Sequence, residues 1–452
     1  MSISLVLYLT LFVLFAALAL IRPVWGVCLY MLTFFASPPY WWWGRSLAQY
    51  RWSLYGGVGL LIAVLISNSL QSRKRADPPK VRRLRFLGML ILLNATAVHF
   101  VLSRSWSVSL PSYELLAKLV LLFFLLVAAI RTERDFRLVL LTFVIGMGYI
   151  GWEATINDRG HIVKGRLEGV GAPGADHANQ LASLAVTILP LAGVLFLTGS
   201  WKDKVITFLA TPFILNVLLL CNSRGAFLSA IASAGVFLVF APGKIRRQAL
   251  KLLALGAVAL WLLLGDPQII ERFATSFVDT KELDASASSR LDYWKAGLRM
   301  ISDYPLGAGG FGFKRVHGPK YIRQVNSDEF NARSVHNGFI NEACEWGIQG
   351  LGLRMMFVLT GFLLTFRTLR DCVARNQTSQ ALLGCALLSS LSAFLSSCVF
   401  GDFMDAEWGY WCVALMCVYG RIFAPQNFPA TVARPVAYVA PAVEIPANAT
   451  VA

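Results

Sequence analysis

The chain has 452 residues, of which 56% are hydrophobic and 15% charged, with a mean hydropathy of +0.60. A soluble domain carries roughly 25% charged residues, so the composition excludes an ordinary water-soluble enzyme. The net charge of +16 falls mostly in short loops between apolar runs. There it sets membrane orientation and argues for no nucleic-acid partner.

Apolar runs near 20 residues long read as transmembrane helices, because in lipid a backbone must satisfy its own polar groups. They are continuously apolar rather than alternating, which argues against a β-barrel. The expected spans are 3–21, 25–37, 54–70, 86–103, 112–130, 138–152, 181–199, 205–221, 225–241, 250–264, 338–366, 381–400 and 407–422. The first lacks a basic start and a small-residue cleavage site, so it reads as a retained helix. Segment 25–37 is short and ends in "SPPYWWW", whose tryptophans suit a membrane interface.

Loop 73–85 has seven basic residues and one acid. With the basic loops 131–137, 201–204, 243–251 and 367–375, it is expected on the cytoplasmic side. The other side then receives 153–180, the tight turn 222–225 and the long loop 265–337. Thirteen crossings place the N-terminus outside. One re-entrant early segment leaves about twelve, with both ends cytoplasmic. The expected organisation is therefore an all-α polytopic membrane protein. Residues 1–264 form spans 1 to about 10, and 265–337 form an outer loop domain. Residues 338–422 form the last spans. The tail 423–452, rich in Pro, Ala and Val, is expected to be disordered and cytoplasmic.

Six of the eight cysteines lie in apolar runs, and neither a CxxC nor a Cys/His cluster occurs. Disulfides and a metal site are not expected.

The outer loop is 73 residues long, with ten Lys/Arg against nine Asp/Glu. A loop of that length is expected to be functional. Its stretch "SSRLDYWKAGLRMI" (288–301) reads as an amphipathic helix. Leu291, Trp294, Leu298 and Ile301 share a face, and Ser288 or Ser289 is the N-cap.

Three polar groups on this side could carry chemistry. Arg224, in "CNSRGAF", is either an interface anchor or a bidentate phosphate ligand. Arg290 is either a solvated helix charge or an anion ligand near a helix N-terminus. His336 is either a structural histidine or, as a neutral imidazole at a membrane mouth, a base for an alcohol. His99 reads as structural, and His161, His177 and His317 are weaker candidates. The run "GAGGFGF" resembles a phosphate cradle but lacks the GK[ST] of a nucleotide loop. Lys314, Arg315, Lys320 and Arg323 either meet a phosphorylated lipid or form a solvated face.

The order of motifs is specific. A short-turn "SRG" precedes "SRLDYW" in a long outer loop, followed by "PLGAGGFGF" and "HNGFINEACEWGIQGLG". This order resembles the O-antigen ligase and polymerase superfamily over all but the tail. The start, "RPVWGVCLYMLTFFASPP", resembles the ligase branch found beside exosortase systems. The resemblance implies a GT-C type glycosyltransferase of the bacterial inner membrane. It would take glycan from undecaprenyl diphosphate at the periplasmic face and pass it to lipid A–core, without metal, nucleotide or other cofactor. It places the catalytic histidine on His336 and the diphosphate-binding arginines on Arg224 and Arg290. "GRLEGVGAPGADHANQLA" resembles a family loop through Arg166 and Asn179. Asn337, Glu342 and Glu345 are supporting candidates, the glutamates orienting His336 or capping positive charge. The alternatives are a polysaccharide polymerase, a protein O-glycosylation ligase and, from another class, a transporter of lipid-linked sugar.

Overall fold

The computed structural model describes residues 2–69, 77–163, 165–243, 245–247, 250, 280–325 and 334–425, and for 280–288 the backbone alone. The expected span 250–264 and most of the expected tail lie outside the described residues.

The chain is mainly helical. In order come α1 (Ile3–Ile21), α2 (Val24–Phe35), α3 (Trp52–Ser69), α4 (Pro79–Ala97), α5 (Trp106–Ala129) and α6 (Glu133–Thr155). A small hairpin follows, β1 (His161–Val163) against β2 (Arg166–Glu168), antiparallel with Ile162 facing Leu167. Then come α7 (Ala178–Thr198), α8 (Trp201–Cys221), α9 (Arg224–Phe240), α10 (Thr280–Asp303), α11 (Gly318–Val325), α12 (Gly338–Ala374), α13 (Thr378–Phe400) and α14 (Glu407–Phe423).

Among the described residues, nine helices are long and apolar enough to cross a membrane: α1, α3 to α8, α12 and α13. The chain is a multi-pass membrane protein. The expected spans 225–241 and 407–422 appear as the 17-residue helices α9 and α14. Expected span 25–37 is the 12-residue α2, packed inside the bundle against α1, α3 and α6. Two 3₁₀ turns, Pro38–Tyr40 and Trp42–Leu47, then carry the tryptophan run. Helix α13 is the centre of the bundle, touching α7, α9, α12 and α14.

Charge separates the two ends. At one end, Arg22 pairs with Asp135 at 2.5 Å. Arg131 donates to Ser67 at 2.7 Å and to Asn68 at 2.9 Å. Arg375 donates to the Phe423 carbonyl at 2.6 Å. Of these residues, Arg131, Asp135 and Arg375 belong to the basic loops. The opposite end holds the tryptophan turns, the hairpin and α10. Helix α1 begins there: Tyr8 packs on Trp43, whose Nε1 donates to Tyr149 Oη at 2.9 Å. The first and last described residues therefore lie at opposite ends. The expected number of crossings includes 250–264, which lies outside the described residues.

Helix α12 is broken at Gly347, whose φ of 82° and ψ of 168° are not helical. The break frees the carbonyls of the preceding turn, which in lipid must find donors. The segment 305–309 supplies them. Ala308 N–H donates to the Cys344 carbonyl and Gly309 N–H to that of Glu345, both at 3.0 Å. Asn94 Nδ2 donates to the Trp346 carbonyl at 2.9 Å, and Ile348 N–H to the Pro305 carbonyl at 2.9 Å. Gly310 N–H goes to Ser109 Oγ at 2.9 Å. The glycine-rich run is thus no phosphate cradle, because its amides are spent on the helix break and on α5.

The approach is close. A Cβ on Gly307 would lie 2.6 Å from Gly347 N and 2.7 Å from the Glu345 carbonyl oxygen, and its φ is +96°. Gly307→Ala should lower stability by about 1–3 kcal/mol, the usual cost of a strained backbone position. Thermal unfolding in detergent checks this, with Gly193→Ala, which meets nothing within 4 Å, as the silent control. Equal midpoints for the two variants would show that the glycine segment does not brace α12.

Candidate active site

His336 sits where the outer segment turns into α12. Its φ is +57°, a left-handed conformation uncommon outside glycine. Asp402, between α13 and α14, holds this turn. Its Oδ1 accepts from Asn337 N–H at 2.9 Å and its Oδ2 from His336 N–H at 3.3 Å. The Asn337 side chain caps α12, accepting from Phe339 N–H at 3.0 Å and Ile340 N–H at 3.1 Å. Asn337 is therefore a helix cap. The ring of Tyr293 on α10 meets the imidazole edge-on, with centroids 6.1 Å apart and planes at 84°.

Helix α10 confirms an amphipathic helix in the outer loop but corrects its details. It spans 280–303, so Ser288 and Ser289 lie inside it and cap nothing. Its buried residues are Tyr293, Ala296 and Met300, whereas Leu291 and Leu298 are exposed. It packs tightly over the start of α12. A Cβ on Gly297 would come 2.6 Å from Ile340 Cγ2. Arg290 is ten residues into the helix, so its expected place at a helix N-terminus is also corrected.

Arg290 and Tyr293, three residues apart, share one face of α10. Burial lowers the Arg290 pKa first, and the positive charges of Arg166 and then Arg224 lower it further. The three guanidiniums therefore share one field, although they come from β2, α9 and α10. Arg224 is the first residue of α9, after the left-handed Asn222 and the cap position Ser223. There its backbone lies at the positive end of the helix dipole. Ser223 Oγ donates to Asn179 Oδ1 at 2.9 Å, tying the starts of α7 and α9 together. Gathering three cations costs Coulomb energy that a multiply charged anion would offset.

The glutamates lie deeper. Glu342 accepts from Arg354 Nε at 3.0 Å. Arg354 also reaches Asp405 at 3.4 Å and donates to the Tyr410 hydroxyl. Of its two expected roles, Glu342 thus takes that of capping a positive charge. Glu345 accepts from Ser112 at 3.2 Å and Asn341 at 3.1 Å. Asp405 lies in the loop before α14, and burial, then Glu342, pushes its carboxyl up to about 7. His99 is structural, as expected: it is buried, with Nδ1 2.9 Å from Ser109 Oγ. His177 is exposed beside Glu168 at 3.2 Å. His317 is half-buried against Tyr304.

Sequence reading missed Asp402, Tyr293 and the Arg354 cluster. One signal was present. "GDFMDAEWGY" (401–410) places three acids within six residues at the junction of two apolar runs. Acids so placed in a membrane protein call for partners.

Removing one partner of a buried ion pair costs about 3–5 kcal/mol. Arg354→Gln should destabilise on that scale, because Glu342 remains buried and Asp405 half-buried. The double variant Arg354→Met, Glu342→Gln should recover part of the loss. Thermal unfolding in detergent reads both, and a single variant as stable as the parent would remove the cluster from the account.

The comparison with curated proteins yields no match. Residues 208–355 match the family model described as O-antigen ligase. The match covers the arginine turn, α9, the described part of the outer loop and the first half of α12. This match, on the segment that holds Arg224, Arg290 and His336, supports the resemblance to the O-antigen ligase superfamily.

Proposed function

We propose that the protein is an O-antigen ligase of the bacterial inner membrane. It transfers glycan from undecaprenyl diphosphate to a sugar hydroxyl of lipid A–core, at the periplasmic face, as a GT-C type enzyme. One observation carries this reading. Three arginines share a field, and the third stands one helical turn from the tyrosine that packs on His336. An anion held by the arginines would place its glycosyl carbon near the imidazole.

In this mechanism Arg166, Arg224 and Arg290 bind the diphosphate, bidentately where geometry allows. His336 takes the proton of the acceptor hydroxyl. The hydroxyl oxygen attacks the anomeric carbon from the side opposite the diphosphate. A new C–O bond forms, the glycosyl–phosphate C–O bond breaks, and its electron pair leaves on undecaprenyl diphosphate. The configuration inverts. The guanidiniums stabilise the charge developing on the leaving group. Asp402 fixes the backbone of His336, and the acids around Arg354 hold the loop that carries Asp402.

The test uses purified protein with EDTA and no ATP, supplied with undecaprenyl-diphosphate-linked glycan and lipid A–core. A gel shift of lipid A–core is expected. Longer lipid-linked glycan with unchanged lipid A–core would make the protein a polymerase instead. His336→Ala should lower the rate about 10²–10⁴-fold, the usual worth of a general base. Arg224→Ala and Arg290→Ala should raise the KM for donor. Asp402→Ala should cost about 10²-fold by letting the imidazole shift by an ångström or so, and Asp402→Asn should cost less. Full activity in the folded His336 variant would end the general-base assignment.

A further inference from the structure

The far end of α10 gathers a second set of cations that the transfer chemistry does not use. Arg104 lies in the corner between α4 and α5, its guanidinium 5.8 Å from the ring centre of Tyr304. The Tyr304 ring lies 4.6 Å from that of His317. Lys320 on α11 sits over Tyr321 at 5.1 Å. Arg315 stacks on Phe311 at 4.6 Å, and Lys314 precedes it. The four cations are exposed. Among the described residues, none of them makes an ion pair. Asp303, the acid that ends α10, has its Oδ2 held by the Tyr321 hydroxyl at 2.5 Å. His317 is held below its usual pKa by burial, then by Arg104 and Lys320, so at neutral pH the imidazole adds no charge and the patch stays cationic through its Arg and Lys.

The position is unusual for unpaired basic residues. The patch lies at the end opposite the basic loops, where orientation rules leave Lys and Arg scarce. It also borders exposed apolar surface. Val101 is 77% exposed, and Trp106 and Leu306 are 57% exposed. A ligand there touches guanidinium and ammonium groups on one side and apolar side chains on the other.

Distance separates this patch from the donor arginines. Arg290 and Asp303 are thirteen residues apart on one helix. At about 1.5 Å per residue the helix sets them roughly 20 Å apart. One diphosphate cannot occupy both ends. Tyr293, and with it His336, lies at the Arg290 end.

We propose that Arg104, Lys314, Arg315 and Lys320 form a docking site for the phosphorylated headgroup of the acceptor lipid. The proposal rests on the ligase reading for the word acceptor, and on the patch itself for the phosphate. The chemical class is an amphiphile with phosphomonoesters at the membrane surface and a reacting sugar some distance from them. One end of α10 would then hold the donor diphosphate and the other the acceptor phosphate, fixing their separation.

The experiment uses the full chain in nanodiscs of zwitterionic phosphatidylcholine. Lipid A is added as its bisphosphate or after phosphatase treatment, and bound lipid is counted by native mass spectrometry. Wild type should bind the bisphosphate at least about tenfold more tightly than the dephosphorylated form, as expected for charge-assisted hydrogen bonds to phosphate. The variant Arg104→Gln, Lys320→Gln should lose that preference while retaining undecaprenyl diphosphate. Phosphatidylglycerol should not compete. The proposal is overturned if the variant keeps the preference, or if phosphatidylglycerol competes equally, which would make the patch a general anionic-lipid anchor. A parallel loss of undecaprenyl diphosphate would also overturn it, by merging the patch with the donor site. If undecaprenyl diphosphate binds neither protein, the donor reading fails alone, and the lipid A preference still decides this site.

Discussion

The pairing between the glycine segment 305–309 and the break in α12 is the constraint on which the site end of the molecule depends. In lipid, a broken helix leaves carbonyls that no water can satisfy. Here Ala308, Gly309 and Asn94 satisfy those of Cys344, Glu345 and Trp346. The donors come from the outer loop and from α4. The loop is thereby pinned to the membrane bundle, and α10, which directly precedes it, is pinned with it. Both ends of α10, with Arg290 near one and Tyr304 just beyond the other, inherit their positions from this pairing.

A second consequence is the depth of polar chemistry. The break and its partners bring Ser109, Ser112, Asn341 and Glu345 together inside the apolar bundle. One side of this layer is the Arg354 cluster, which joins α12 to the loop before α14. That loop in turn carries Asp402 to the backbone of His336. Left-handed backbone at a residue with a side chain is strained by about 1–3 kcal/mol and persists where its surroundings hold it. The two hydrogen bonds from Asp402 and the capped start of α12 are such surroundings.

The electrostatic layout follows from where charge is tolerated. Basic loops at one end meet the Asp135 carboxylate, side-chain amides and helix-terminal carbonyls. At the other end cations gather in two groups near the two ends of α10, and in the second of these Arg104, Lys314, Arg315 and Lys320 make no ion pair among the described residues. An arrangement that repels itself is suited to polyanionic ligands. A diphosphate donor and a phosphorylated acceptor are two such ligands.

How much of this was legible in the sequence follows from the range of each interaction. Apolar runs of bilayer length, and basic loops between them, are local features. They determined a multi-pass helical protein. The motif order brought out Arg224, Arg290 and His336 as candidates, the first and last because each stands beside a recognisable turn or span boundary. The tertiary structure alone decided what depends on contacts between distant segments. Arg166 joins Arg224 and Arg290 because the hairpin leans on α7 and α8. The amphipathic pattern of 288–301 gave a helix but not its buried face, because Gly297 lets Tyr293 and Met300, not Leu291 and Leu298, pack inward. The glycine run looked like a phosphate cradle because its composition permits one. Its amides instead answer a helix break some forty residues downstream, which no local pattern could reveal. The acids of 401–410 signalled a need for partners, but only folding shows that Asp402 takes the amides of His336 and Asn337.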